Sequence, residues 1–151
     1  MPKLIGIATH AQSKGAITQH QSIQVHLKTG LENDYRGQCN PRTQVTLLSA
    51  QTWERICQTL DVKLDWSERR ANLLVDDMDF SEGDALIGQQ VQVGKVLLEI
   101  TAETDPCARM EQLCPGLKEA LSPDWNGGIR CKVLKEGTIQ IGDKIQLLKR
   151  I

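Results

Sequence analysis

Apolar and polar residues alternate in short runs broken by turn dipeptides along much of the chain, the pattern of strands with one buried face. The clearest run is Val91-Gln92-Val93, then Gly94-Lys95, then Val96–Thr101, a hairpin in which glycine supplies the positive φ of a tight turn. A second hairpin is predicted at Thr138–Ile141, Gly142-Asp143 and Lys144–Leu147, and further strands at Leu4–Ala8, Gln24–Lys28, Gln44–Leu48, Asn72–Val75 and Ile129–Leu134. Helices are fewer. Ser49 caps a predicted helix in which Trp53, Ile56, Cys57 and Leu60 form one apolar stripe. Short helices follow Pro106-Cys107, over Ala108–Leu113, and at Leu117–Leu121. With no internal repeat, low-complexity tract or linker, residues 1–151 are expected to form a single β-rich domain of barrel or sandwich class.

Composition narrows the function classes. The chain is 40% hydrophobic and 25% charged, which excludes disorder, and no apolar run approaches the roughly 18 residues of a membrane span. A net charge of -1 gives no basis for broad attraction to nucleic acid or anionic lipid. The N-terminus lacks the form of a signal peptide, so the expected location is the cytoplasm, with no nucleic-acid or membrane partner. The 5 cysteines are odd in number and scattered, which argues against a disulfide framework. No C-x-x-C occurs, and His10, His20 and His26 do not combine with cysteines at structural zinc spacings.

Cys107 is the thiol whose surroundings carry most information. Pro106 fixes the backbone before it and a helix start follows, where free N–H groups favour a thiolate. Arg109 adds positive charge, whereas Glu103 and Asp105 oppose it, so its neighbours alone leave a packing role and a reactive one both open. Cys57 and Cys131 alternate with apolar neighbours and read as core residues, and Cys114 would face the side of Cys107 if the intervening turn is regular. Arginines form a second constellation: Arg36 and Arg42 flank the loop 37–41, Arg69 and Arg70 precede a strand, and Arg130 follows Gly127-Gly128. Converging guanidinium groups would hold a phosphate or sulfur-containing anion bidentately; separately, each is an ordinary solvated charge. Asp34 and Asn72 stand beside arginines at strand boundaries, where they would orient them or simply shape turns. No Ser-His-Asp order, phosphate-cradling glycine loop or paired-carboxylate pattern appears, which removes hydrolase and kinase readings.

Taken in order, Gly30–Asp34, Arg42–Leu48, Arg69–Val75, Leu98–Thr101, Asp105–Met110, Pro115–Leu117, Gly127–Ile129 and Gly137–Asp143 resemble the MOSC domain family, named for the C-terminal domain of molybdenum-cofactor sulfurases. The resemblance is to small stand-alone bacterial members. It implies a β-barrel-like fold with a few short helices and one exposed cysteine, matched by Cys107, that ligates molybdenum or carries persulfide sulfur. It also places Arg42, Arg69, Arg70 and Asn72, with Arg109 and Arg130 nearby, as residues holding the molybdenum cofactor. A thiolate suits either task, as a soft ligand or as a nucleophile. The implied activity is reduction of N-hydroxylated compounds with an external electron donor, because no cysteine cluster for an iron–sulfur centre is present. The implied partners are an electron-transfer protein or a cysteine desulfurase, with pyridoxal phosphate only on that separate partner. The alternative class is a non-catalytic barrel that binds a small anionic ligand or a protein.

Overall fold

A computed structural model describes residues 1–12 and 15–148. Eleven strands run as β1 (Lys3–His10), β2 (Ile17–Gln19), β3 (Ser22–His26), β4 (Gly30–Leu31), β5 (Val45–Ser49), β6 (Leu73–Asp76), β7 (Gln90–Val93), β8 (Val96–Glu103), β9 (Ile129–Lys135), β10 (Gly137–Gln140) and β11 (Ile145–Leu148). Eight of them form one sheet in the order β11-β7-β8-β9-β5-β6-β1-β2, and β10-β3-β4 form a second. Within the large sheet β5 and β6 run parallel. That pairing needs a crossover, supplied by helix α2 (Ala50–Thr59).

The β7–β8 hairpin forms as the alternation predicts, with Val93 opposite Val96 and Gly94 at φ 56°. The expected C-terminal hairpin does not form. Its two halves separate, β10 pairing with β3 and β11 with β7. Local alternation identifies a strand but does not choose its partner, and both halves find larger apolar surfaces to cover away from each other. The fold is mainly β with few short helices, yet the large sheet does not close by a continuous ladder into the barrel expected from the sequence. Its ends meet through an isolated bridge between Lys3 and Lys144 and a few backbone bonds, such as Leu4 N–H to Asp143 C=O at 2.9 Å.

Two apolar clusters fill the interior. The larger lies between the sheets and gathers Leu4, Ile7, Val25, Leu31, Leu47, Leu73, Leu98, Ile100, Ile129 and Cys131 among others. The smaller lies on the outer face of the large sheet, where Leu48 and Leu74 meet Trp53, Ile56 and Cys57 of α2. The same cluster takes in Met110 of α3 (Ala108–Leu113), Cys114, and Leu117 and Leu121 of α4 (Leu117–Leu121). The Ser49 hydroxyl accepts from Thr52 N–H and caps α2 as predicted. Burial of the Trp53 and Ile56 side chains contributes on the order of 1.5–3 kcal/mol each, far more than helix propensity supplies for ten residues.

Candidate functional site

The end of the sheet where β1, β6, β8 and β9 meet the loops is held by buried polar groups. Asn72, fully buried just before β6, accepts at Oδ1 from the Thr46 N–H (3.0 Å) and hydroxyl (3.3 Å) and donates from Nδ2 to Ala8 C=O (3.2 Å). Its hydrogen-bonding capacity thus joins β5, β6 and β1. Asp34, also fully buried, stands at the N-cap of α1 (Tyr35–Cys39) but makes no side-chain bond to that helix. Its Oδ1 instead accepts from His10 N–H at 2.8 Å and lies 3.2 Å from His10 Nδ1. His10 Nε2 and Asp34 Oδ2 are left buried without partners.

Arg69 and Arg70 are neighbours aimed at different places by a local turn. A 3-10 turn, Trp66–Arg69, starts at Asp65, whose carboxylate accepts from Ser67 N–H, and ends at Arg70 in the left-handed region with φ 64°. Arg69, 7% exposed, uses Nη2 to donate to Thr104 C=O (3.0 Å) and Gly127 C=O (3.1 Å). Arg70 donates from Nη1 to Gly15 C=O (3.0 Å), and its buried Nη2 has no partner among the described residues. Arg36 on α1 donates to the Thr46 hydroxyl (3.0 Å) and lies 3.4 Å from Arg70 C=O.

These guanidinium groups feel one another. Burial and then the Arg36 charge hold Arg69 down to about 10, with Arg130 adding to the effect and Cys107 and Asp105 opposing it. Arg70 is lowered by burial, then by Arg109, with Arg36 contributing and Tyr35 and Asp34 opposing. Like charges gathered in a poorly solvated place disfavour their own protonated forms, and a bound anion would reverse that cost. Arg36 acts on both Arg69 and Arg70, Arg130 on Arg69 and Arg109 on Arg70, so positive charge is concentrated at this end of the sheet.

Cys107 lies at its rim. In β8 the register shifts between Ile100 and Ala102, so Ile100 and Thr101 are both buried and the strand is re-aimed before it leaves the sheet. The chain then passes Asp105 and Pro106 to Cys107, which is exposed and precedes α3, its C=O accepting from Met110 N–H at 2.9 Å. Glu103 and Asp105 supply the opposing charge. Glu103 is raised by partial burial and then by Asp105, which is also its hydrogen-bond neighbour.

The residues expected to share a site separate into two groups. Cys107 and Arg130 fall within electrostatic reach of Arg69, and Arg109 within reach of Arg70, while Arg36 reaches both. Asn72 lies behind them, bonded to backbone and Thr46 rather than to an arginine. The Arg42 side chain is exposed, while its C=O accepts from the Thr101 hydroxyl (2.7 Å), which is also 3.2 Å from Arg130 C=O. Asp34 bonds His10, which the sequence brings up only as a zinc ligand lacking suitably spaced cysteines. Cys114 turns into the smaller core beside Cys57, away from the exposed Cys107, and burial pushes the Cys57 and Cys131 thiols up. Among the described residues no group of three His, Cys, Asp or Glu side chains gathers to hold a metal ion. Among the same residues no helix is long and apolar enough to cross a membrane.

A family model described as the MOSC domain matches residues 34–146, from the N-cap of α1 through β10 and into the start of β11. No curated protein sequence matches the chain. Among solved structures the chain is similar to the YuaD protein from Bacillus subtilis, at 18% identity and a TM-score of 0.77, covering 100% of this chain and 98% of that one. It is also similar to YiiM from Geobacillus stearothermophilus (14%, TM-score 0.75, 99% and 76% covered). The third is YiiM from Escherichia coli (13%, TM-score 0.71, 99% and 71% covered). At these identities the likeness is one of fold.

Proposed function

The chain belongs to the MOSC domain family, and from that premise we propose that it binds the molybdenum cofactor, with Cys107 facing the metal and the arginine cluster facing the cofactor's phosphate. The observation that carries the reading is an exposed thiol within electrostatic reach of Arg69, a buried guanidinium that also feels Arg36 and Arg130 and stands next in the chain to the buried Arg70. The residues present fit such a group on their own chemistry. Arg70 Nη2 is a buried donor in want of an acceptor, and charge repulsion within the cluster favours an anionic guest. A single soft thiolate is an apt protein ligand for a metal that brings its other sulfur ligands with it.

In this reading Arg70, Arg109 and Arg130 hold the phosphate end, Arg42 borders the mouth, and Asn72 locks the strands behind them. When bound, the cofactor supplies two-electron redox chemistry, for which N-hydroxylated compounds are the substrate class and an external protein the electron donor. Cys107 contributes the thiolate, and the arginines orient the guest and offset its charge. Water enters freely at the rim, since Cys107 and Asp105 are both exposed. We place the protein in the cytoplasm, acting as a single domain alongside that donor.

The test is molybdenum content and the fluorescent oxidised pterin in wild type and Cys107→Ser, both purified from cells that make the cofactor. Molybdenum and pterin in the wild type, with molybdenum falling about tenfold or more in the serine variant, are expected for thiolate ligation. Absence of both from the wild type in a cofactor-replete host overturns the reading. Sulfur added by mass to Cys107 in that metal-free protein would point instead to persulfide carriage from a cysteine desulfurase.

A further inference from the structure

We infer that Arg69 is a positioning residue, which fixes the backbone leading to Cys107 and so sets where the thiol sits, rather than a residue that contacts the bound group. The Thr104 peptide units are gripped from two directions. Its C=O accepts from Arg69 Nη2 at 3.0 Å, and its N–H donates to Gly128 C=O at 2.9 Å. The same Nη2 donates to Gly127 C=O at 3.1 Å, so the arginine ties the end of β8 to the turn that begins β9. Only Asp105 and Pro106 separate this tie from Cys107, and proline removes most of the freedom that remains. Beyond Cys107 the chain enters α3, whose Met110 is 1% exposed in the smaller core. Cys107 is therefore held from both sides while its own Sγ is left exposed.

The turn itself bears the imprint of the brace. A Cβ on Gly127 would lie 2.3 Å from Thr104 O and 3.0 Å from Arg69 Nη2, so only glycine allows the approach. At Gly128, with φ 103°, a Cβ would lie 2.1 Å from Leu47 O. An apolar side chain of similar volume would avoid the desolvation that holds Arg69 down to about 10, but it would take the donor away from the Thr104 and Gly127 carbonyls. What the guanidinium adds is a directed bond to two carbonyls. Its Nε has no partner, and the bonding atom Nη2 is already shared between them.

The inference rests on the reading of Cys107 as the functional thiol, and it is tested on cofactor-free protein so that the two ideas fail separately. The five cysteines serve as reporters: Cys39 and Cys107 are exposed, while Cys57, Cys114 and Cys131 are buried. Amide exchange across residues 103–110 and alkylation resolved at each thiol would be measured for wild type, Arg69→Met, Arg69→Lys and Gly127→Ala. Arg69→Met is expected to speed exchange at Thr104 by about tenfold, the loss of charged hydrogen bonds to carbonyls. It should also change the Cys107-to-Cys39 alkylation ratio by about threefold or more, with the buried thiols still unmodified. Arg69→Lys, which keeps donors at the tip, should recover at least about half of both effects. If Arg69→Met fails to fold, Gly127→Ala should show the same local signature by crowding the brace. Unchanged exchange and an unchanged ratio in the variants that fold would overturn the inference. So would reaction of the buried thiols in step with Cys107, because the arginine would then serve overall stability alone.

Discussion

The two ends of α3 face different kinds of interior. At its start, Cys107 lies near Arg69, at an end of the sheet where Asp34, His10, Thr46, Asn72, Arg69 and Arg70 are buried polar residues, His10 bonded to Asp34, Thr46 to Asn72 and Arg69 to backbone carbonyls. Farther along, Met110 packs with Leu48, Trp53, Ile56, Leu117 and Leu121 in a cluster that is almost wholly apolar. Burial of apolar side chains is favourable without regard to direction, so the second region is explained by area alone. Burial of polar groups costs free energy unless each is bonded, and here several have no partner among the described residues: Arg70 Nη2, Arg69 Nε, His10 Nε2 and Asp34 Oδ2. A fold under selection only for stability would not collect such groups in one place. The contrast sets a polar, directionally bonded end of α3 against an apolar end held by area.

The comparison is broken most severely at Asn72. Asn72→Leu keeps the branched heavy-atom shape but strips partners from the Thr46 N–H, the Thr46 hydroxyl and Ala8 C=O, all buried. At about 1–3 kcal/mol for each group left unsatisfied, with partial relief through backbone bonds that survive, the expected loss is about 4 kcal/mol. Urea unfolding checks it. A loss below about 1 kcal/mol would mean that the polar end is less tightly bonded than its geometry implies.

Leu121→Ala sharpens the contrast from the apolar side. Leu121 is fully buried in the smaller cluster, and truncation should cost about 3 kcal/mol through lost transfer energy and a residual cavity. The two variants should differ in their response to anions. Inorganic phosphate should stabilise Leu121→Ala as much as it does wild type, because the guanidinium cluster is untouched, and should lose most of that effect in Asn72→Leu. Equal phosphate responses in both variants would separate the anion site from the polar framework.

How much of this was legible from residue order follows the same division. The apolar stripe Trp53, Ile56, Cys57, Leu60 and the Ser49 cap announce α2, and alternation around Gly94 announces the β7–β8 hairpin, because both signals are local. The partners of β10 and β11 were not legible, since alternation marks a face without naming the strand beside it. Asp34 misleads for a related reason. It has the residue type and place of a helix cap, yet its carboxylate bonds a histidine 24 positions away. Arg69 and Arg70 look equivalent in sequence, and only the left-handed backbone at Arg70 sends one to the 104 and 127 carbonyls and the other to Gly15. Cys107 was legible as the distinctive thiol through Pro106 and the helix start. The crowding that demands Gly127 depends on Thr104 and Arg69 meeting there, which no spacing foretells.

The smallest expected effect tests the negative rim of the site. Glu103 is raised above its ordinary value of 4.5 by partial burial, then by repulsion from Asp105 and Asp84. A carboxyl whose folded value lies above its unfolded one binds more protons in the folded state, so its contribution is most favourable at low pH and is lost as pH rises through the folded value. Near pH 7 the ionised group is therefore a burden. Glu103→Gln removes the charge and should raise stability by less than about 0.5 kcal/mol at neutral pH, as befits a half-buried side chain. The gain should fade on acidification toward pH 4, where wild-type Glu103 is largely protonated in the folded protein and its repulsion of Asp105 is already relieved. Urea midpoints at the two pH values read the difference. A gain of equal size at both would assign it to packing of the amide rather than to charge. A loss at neutral pH would show that Glu103 is held by Arg130, the one nearby cation that favours its ionised form, and would bring this carboxylate into the cation cluster as a partner instead of a rim.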